Sequence, residues 1–270
     1  MTINIRLSQQ EETNIVDVER SHWNYRYAYA RSAEAKANGD IGQDYLTLIE
    51  EKDYIAFALC DGVSMSYFGD FAAQFVGDSL IEWLKALDES MSGAEMLSGR
   101  LNQYLIEKAG EAGKKLDNYP LPPGINGMFR EVLLSKKSLG SGTMYSCGRI
   151  DKPGPAYPQG RIVLAWQGDS RIRIWSGARE RADLLGDRFH TRERWNSVSG
   201  PVGGTPHVYA GGLTPLGETG AVLLYSDGLQ AIDGAGRINS DMITGHISRE
   251  SMNPSSDDMS VFHLQWHCNK

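Results

Sequence analysis

Acidic residues recur where an apolar segment of the chain meets a loop. A carboxylate at the end of a buried strand costs free energy to ionise unless a counter-charge lies beside it. A single aspartate of this kind is most simply a turn residue, because Asp is favoured in turns. Recurrence of the same arrangement favours a functional cluster. The positions are Asp44 before YLTLI, Asp61 after FALC, Asp169 after VLAWQG, Asp227 after VLLYS, and the pair Asp257 and Asp258 before MSVFHL.

The chemistry open to such a cluster depends on what neutralises it. Carboxylates brought close together cannot all stay ionised without a counter-charge, and Asp44, Asp61 and Asp227 have no basic neighbour in sequence. Hard divalent cations prefer oxygen ligands, and the glycine after Asp61 lets a backbone carbonyl approach as a further ligand. A carboxylate site with two cations activates water and binds a phosphoryl group. The pattern predicts metal-dependent hydrolysis if these strand ends converge.

The segments that must position these acids have the patterns of strands and amphipathic helices. The apolar run 55–60 has the length of a strand buried on both faces. Strands before and after a helix pair, joined by hairpins, predict an α+β domain with antiparallel sheets. Further strands are predicted at 24–30, 45–49, 143–150, 161–167, 171–176, 221–226 and 259–266, and helices after residue 70 and at 94–116, 128–135 and 239–249.

Two segments lack clear periodicity. Residues 1–22 are polar, and we expect them to form a leader or mobile arm before a single domain at 23–270. The Gly-, Pro- and Arg-rich stretch at about 177–220 is too long for a hairpin loop. It is predicted to be a functional flap.

Composition limits the partners and the setting. The formal net charge is −7, which disfavours nucleic acid and anionic membranes as partners. No apolar stretch reaches the ~18 residues that a membrane helix needs, and no signal peptide is visible. The three cysteines are scattered, without a Cys-x-x-Cys pair. These features predict a reducing, cytoplasmic setting.

Six short motifs occur in one order between residues 42 and 260, and each is weak by itself. They are Gly42-Gln43-Asp44, Asp61-Gly62, Gly140-Ser141-Gly142-Thr143, Gly168-Asp169-Ser170-Arg171, Ser226-Asp227-Gly228 and Asp257-Asp258-Met259-Ser260. Together they resemble the metal-dependent Ser/Thr protein phosphatases of type 2C. The resemblance implies a sandwich of two antiparallel β-sheets flanked by helix pairs, in α-β-β-α layers.

The resemblance also implies a division of roles. Asp61 would bridge two Mn²⁺ or Mg²⁺ ions, with the Gly62 carbonyl as a further ligand. Asp227 and Asp257 would complete the first metal, and Asp44 would act mostly through metal-bound waters. A metal-bridging water would attack phosphorus directly, without a phosphoenzyme. The implied substrates are phosphoserine and phosphothreonine on proteins, the targets of a Ser/Thr kinase.

Several positions depart from the family pattern or leave a choice open. Asp169 would lie near a third, weaker metal position known in bacterial relatives. Asp258 is the alternative to Asp257 as a ligand. Arg31 is the predicted phosphate-binding residue, because a guanidinium can bind phosphate bidentately. Lys36 is the alternative.

The loop after Asp61-Gly62 leaves the function itself open at one point. Some relatives carry a histidine there as general acid, and Val63 cannot act as one. A catalytically degenerate binding or regulatory module is therefore an alternative. A phosphatase for small phosphoesters is another, because the 177–220 stretch that would set the choice carries no readable specificity pattern.

Overall fold

Strands make up most of the regular structure, and the helices occur between them in short groups. The computed structural model describes residues 2–119, 121, 126–236 and 238–268. The strands are β1 (Ile3–Arg6), β2 (Thr13–Glu19), β3 (Trp23–Ala30), β4 (Tyr45–Glu50), β5 (Tyr54–Gly62), β6 (Gly142–Asp151), β7 (Arg161–Gln167), β8 (Arg171–Ser176), β9 (Arg179–Glu180), β10 (Arg194–Asn196), β11 (Gly200–Val202), β12 (His207–Gly211), β13 (Thr219–Tyr225) and β14 (Met259–His267).

The helices all lie between strands, and the longest group separates β5 from β6. They are α1 (Ala33–Asn38), α2 (Gly69–Lys85), α3 (Ala94–Asp117), α4 (Gly127–Leu139), α5 (Ala182–Leu185) and α6 (Ser240–Glu250), with 3-10 helices at Thr214–Leu216 and Asp227–Ile232. Within the described ranges, no helix is both long enough and apolar enough to cross a bilayer.

The strands form two antiparallel sheets. The first sheet has the order β1-β4-β5-β6-β10-β11, and β7 joins it by pairing with both β6 and β12. The second sheet has the order β2-β3-β14-β13-β8-β9. All the pairings are antiparallel, so the ends of alternate strands meet at the same edge of each sheet.

The alternation of large and small apolar residues along β5 explains how two cores are built from one strand. Successive side chains of a strand point to opposite faces of the sheet. Ile55, Phe57 and Leu59 pack in the core between the two sheets. Ala56 and Cys60 lie on the other face, in the cluster with α2 and α3. The predicted burial of this strand on both faces is confirmed, and its small residues let the helices approach closely.

The two sheets are therefore the middle layers of a four-layer structure. Apolar side chains of α2 and α3, such as Val76 and Leu101, cover the outer face of the first sheet. Leu229 and Ile243, from the 227–232 helix and α6, cover the outer face of the second. The predicted α+β class and α-β-β-α sandwich are confirmed. On the second sheet, one α-helix and a 3-10 helix form the outer layer.

Residues 1–22 do not form a leader over most of their length, which corrects the expectation from sequence. β1 pairs with β4, and β2 pairs with β3, so this segment supplies an edge strand to each sheet. Edge strands are half exposed and alternate apolar with polar residues. INIR and NIVDV follow that alternation, but the polar residues around them hide it.

The 177–220 stretch is also more regular than a flap. β10, β11 and β12 lie within it and belong to the first sheet, and β12 pairs with β7 over its whole length. Trp195 of β10 is fully buried, and its Nε1 donates to the Leu105 carbonyl of α3 at 3.0 Å. Non-local pairing holds these short strands, and single-sequence patterns do not show such pairing.

Leu7 tests whether the N-terminal segment belongs to the core. Its side chain is buried between the sheets, and its N–H donates to the Leu46 carbonyl. We expect Leu7→Ala to lower the free energy of unfolding by about 2–4 kcal/mol, because it leaves a cavity. The exposed neighbour Gln10 supplies the control, Gln10→Ala, with a change within about 0.5 kcal/mol. Denaturant titration measures both. If the two variants were equally stable, Leu7 would not contribute to the core, and the expected mobile leader would be supported.

Candidate metal centre

The acidic strand ends converge at one edge of the sandwich. Asp61 closes β5, Asp169 lies in the turn between β7 and β8, and Asp227 follows β13. Each offers one carboxylate oxygen, and these three oxygens lie within 4.8 Å of one another. The two sheets thus bring together acids that are between 58 and 166 residues apart in sequence.

Hydrogen bonds and one tight turn position Asp61 and Asp169. Thr143, the second residue of β6, pairs with Gly62, and its Oγ1 donates to the Asp61 carbonyl at 2.7 Å. Gly168 precedes Asp169 with φ +112°, a conformation that favours glycine. A Cβ at this position would also lie 2.4 Å from the Cβ of Met144. The turn that aims Asp169 into the cluster therefore depends on Gly168.

Gly62 lets three backbone segments meet beside the acids. A Cβ on Gly62 would lie 2.6 Å from the carbonyl carbon of Gly69 and 2.8 Å from the Gln43 carbonyl oxygen. Any side chain would push the α2 start and the segment before β4 away from β5. The Asp-Gly dipeptide is thus required here by packing, whatever the Gly62 carbonyl binds.

Asp44 lies deeper than the three clustered acids, with 2% of its surface exposed. Burial raises its pKa well above the ordinary value, and the charge of Asp258 raises it further. The hydroxyls of Ser226 and Ser260 oppose this shift in part. Asp44 therefore faces the second sheet and lies within range of the other acids.

Mutual repulsion is strongest at Asp61. Burial raises the pKa of its carboxyl well above the ordinary range. The charges that add to this shift belong to Asp44, Asp227, Asp257 and Asp169. Burial, with Asp257 and Asp169, likewise raises the pKa of Asp227 to about 6. Four of the acids predicted from sequence therefore act electrostatically on Asp61.

Asp257 and Asp258 have different surroundings. Asp258 is buried, and its carboxylate accepts hydrogen bonds from the backbone N–H groups of Ser32 (2.6 Å) and Gln43. Asp257 is exposed, and its Oδ1 accepts from the Asp258 N–H at 2.8 Å. Asp258 thus ties together the loops after β3 and before β4. The carboxylate of Asp257 keeps oxygen sites free for a ligand.

The donor set fits hard divalent cations. Asp44 Oδ2 and Asp169 Oδ1 are buried, and neither has a hydrogen-bond partner in the described part of the chain. A buried carboxylate oxygen without a donor is costly unless a cation or a proton neutralises it. Oxygen-rich sites of several carboxylates suit Mg²⁺, Mn²⁺ and Ca²⁺.

The two phosphate-binding candidates lie in different environments. Arg31 directly follows β3, and its Nη1 donates to the Asp40 carbonyl at 2.9 Å. Its Nε is buried without a partner among the described residues. Its charge acts on Tyr29, on which Asp258 and Asp44 also act. Lys36, on α1, instead forms an ion pair with Glu12 at 2.9 Å.

The loop after Gly62 is held against the start of β6. Val63 N–H donates to the Gly142 carbonyl at 2.9 Å, and the Gly142 N–H donates to Ser66 Oγ at 3.0 Å. Met65 is 78% exposed at the tip of this loop. The Gly140–Thr143 motif therefore acts as an anchor for the loop, and Val63 offers no group that could transfer a proton.

Gln9 supports the site and was not predicted from sequence. Its Nε2 donates to the Asp70 carbonyl at 3.2 Å and to the Gln43 carbonyl at 3.4 Å. Its own carbonyl accepts from the Gly42 N–H at 2.8 Å. The N-terminal segment thus joins the turn before Asp44 to the start of α2. No local pattern marks a glutamine in a polar stretch for such a role.

Comparisons of the structure with solved structures identify the fold. A bacterial serine phosphatase matches with a TM-score of 0.57 and 13% identity, over 91% of this chain and 98% of that one. Serine/threonine phosphatase Stp1 from Staphylococcus aureus matches at 0.56 and 13% identity, over 95% and 97%. PppA from Pseudomonas aeruginosa matches at 0.51 and 14% identity, over 92% and 98%. No protein-family model and no curated protein matches the sequence.

These similarities extend over nearly the whole chain at low identity, and they define its class by architecture. The chain has the fold of the type 2C serine/threonine phosphatases. The resemblance carried by the six short motifs is thereby confirmed at the level of the fold.

The different surroundings of Asp257 and Asp258 lead to a paired prediction. Asp257→Asn should weaken Mn²⁺ binding by at least about tenfold, without loss of stability in EDTA, because it removes repulsion from the cluster. Asp258→Asn should lower the free energy of unfolding by about 1–3 kcal/mol, because an amide cannot accept both backbone hydrogen bonds. Calorimetry and thermal unfolding measure these effects, with exposed Asp53→Asn as the control. Weaker Mn²⁺ binding in Asp258→Asn, with lower stability in Asp257→Asn, would instead identify Asp258 as the ligand.

Proposed function

We propose that this protein is a metal-dependent phosphatase that hydrolyses phosphoserine and phosphothreonine on proteins. The observation that carries the proposal is the convergence of Asp61, Asp169 and Asp227, whose oxygens lie within 4.8 Å of one another. Crowded carboxylates in a fold shared with serine/threonine phosphatases support metal-dependent phosphoryl chemistry more directly than a purely structural role. Low sequence identity to the solved phosphatases leaves the activity to experiment.

The residues proposed to hold the cations are Asp44, Asp61, Gly62 through its carbonyl, Asp169, Asp227 and Asp257. These residues would hold two Mn²⁺ or Mg²⁺ ions, with a third at a weaker position near Asp169, which would supply Lewis acidity to activate water for direct hydrolysis without a phosphoenzyme. Four other acids act on the carboxylate of Asp61, so Asp61 is the residue proposed to bind both ions. Asp44, buried and farther in, orients the centre from the side of the second sheet.

The remaining residues position the substrate and keep the site rigid. Arg31 is the proposed phosphate-binding residue, because its buried Nε lacks a partner in the described ranges and a guanidinium can bind phosphate bidentately. Thr143, Gly168 and Asp258 keep the acids in place through the contacts described above. Val63 cannot protonate the leaving group, so a metal-bound water would do so, or the leaving group would depart without protonation. The protein partners proposed are substrates of a Ser/Thr kinase, in the cytoplasm.

Hydrolysis of a phosphothreonine peptide with Mn²⁺ tests the proposal. We expect turnover that EDTA abolishes and that Asp227→Asn lowers by at least about a hundredfold, because the loss of one ligand removes several kcal/mol of electrostatic stabilisation. Asp53→Asn is the matched control: Asp53 forms an exposed pair with Lys152 outside the cluster, so its activity should not change.

The same assay separates the alternatives. Mn²⁺ binding without turnover of any phosphoester would identify a degenerate binding or regulatory module. A kcat/KM for p-nitrophenyl phosphate above that for the peptide would favour small phosphoesters as substrates. No calorimetric signal with Mn²⁺ would reject the metal centre itself.

Separate variants of Arg31 and Lys36 decide which residue binds the phosphate. Arg31→Ala should raise KM for the peptide by at least about tenfold, because one charge-assisted hydrogen bond to phosphate is worth about 1.5–3 kcal/mol. Lys36→Ala, which removes only an ion pair with Glu12, should change KM less than about twofold. Initial-rate kinetics at saturating Mn²⁺ measure both. A larger increase of KM in Lys36→Ala than in Arg31→Ala would identify Lys36 as the phosphate-binding residue.

A further inference from the structure

A second cleft lies at the edge of the first sheet opposite the acidic cluster. It has a volume of about 590 Å³, which is in the range of small-molecule sites. Its walls include the start of β7, the end of β12 and the turn before α3. Arg161 begins β7 and Asp169 follows its end, so roughly 20 Å of strand separate the cleft from the metal centre.

Two buried arginines beside this cleft share one carboxylate. Arg149 Nη2 lies 2.6 Å from Asp151 Oδ1, and Arg161 Nε lies 2.8 Å from Asp151 Oδ2. All three residues are more than nine-tenths buried. Because two guanidinium groups face one carboxylate, the group carries one positive charge that its members do not neutralise. Burial makes an unneutralised charge costly.

Arg149 and Arg161 differ in how their remaining N–H groups are used. Arg149 Nη1 donates to the carbonyls at the end of α2, including Leu84 at 2.8 Å. Arg161 Nη1 donates to the Asp88 carbonyl at 3.1 Å. Arg161 Nη2 is buried and has no hydrogen-bond partner among the residues described, and Arg161 lines the cleft. The missing partner in this group is therefore an acceptor, and the cleft is the open space beside Arg161.

The other walls of the cleft suit an anion with an apolar body. Gly93 begins the 24-residue helix α3 at the cleft and gives it no side-chain cap, so the positive end of the helix faces this region. Among its apolar lining residues, Met91 and Pro158 keep accessible surface, whereas Leu97 and Val163 are fully buried. The ring of Tyr157 lies 4.0 Å from the Arg161 guanidinium and covers it.

We propose that this cleft binds a small organic monocarboxylate whose apolar body packs against Met91 and Pro158. One carboxylate matches the single unneutralised charge and accepts from Arg161 Nη2 as Tyr157 turns aside. A dianion suits the cleft less well, because exposed Glu89 also lines it and would repel a second negative charge. The site is independent of the metal centre, and so of the proposed phosphatase activity.

Calorimetric titration with 4-methylbenzoate tests the proposal, with 4-methylbenzamide as the neutral analogue. EDTA is present, so that no cation in the acidic cluster can bind the probe. We expect the carboxylate to bind at least about tenfold more tightly than the amide. Arg161→Lys should lose about tenfold, because it keeps the charge beside Asp151 but lacks Nη2. Exposed Arg179→Lys is the matched control and should bind as the wild type does.

Two surface variants keep the test decisive if Arg161→Lys does not fold. Glu89→Gln should tighten binding by about twofold, because it removes a repelling charge, and Ala156→Asp, at an exposed lining position, should weaken it by a similar factor. Equal affinity for carboxylate and amide would overturn the proposal. So would unchanged affinity in both surface variants, or no binding of 4-methylbenzoate at millimolar concentration.

Discussion

Repulsion among buried carboxylates is the constraint on which the rest of this structure depends. Asp61 is buried and feels four other acids, so the folded chain without cations must hold charges that push its strand ends apart. The framework around the acids resists this force. Asp258 ties two loops with its carboxylate, and Gln9 holds the turn before Asp44 against α2. These contacts keep the cluster assembled, so the cations proposed for it would find their oxygen ligands already in place.

The two edges of the first sheet carry opposite electrostatic arrangements. At one edge, several acids converge, and burial with their mutual repulsion raises the pKa values of Asp61 and Asp227. At the other, two buried guanidinium groups share Asp151. Because β7 runs from one edge to the other, this single strand connects the acidic cluster to the Arg149–Asp151–Arg161 group. The carboxylates of the cluster repel one another, and the group lacks an acceptor for Arg161 Nη2 among the described residues. Both arise from side chains whose charge is expensive to bury, which is why each points to a ligand rather than to stability.

Where the predictions from sequence were wrong, the cause was non-local pairing. Residues 1–22 supply β1 and β2, and the 177–220 stretch contains β10, β11 and β12. These strands are short or lie at sheet edges, so their alternation is weak and interrupted by polar residues. What stabilises them is the partner strand and the core behind it, as with Leu7 and Trp195. Such stabilisation has no signature in a window of neighbouring residues.

The sequence by itself determined the long strands, the main helices, the α+β class and the acids that could bind cations. Those features follow from local patterns: apolar runs, helical stripes, and aspartates where strands end. Only the tertiary structure decided that the strand ends meet at one edge, and that Asp258 accepts backbone N–H groups while Asp257 is exposed. It also decided that Gln9 supports the site. The physical reason is that these distinctions depend on which groups lie within a few ångströms after folding, and neighbouring aspartates are identical until packing gives each different partners.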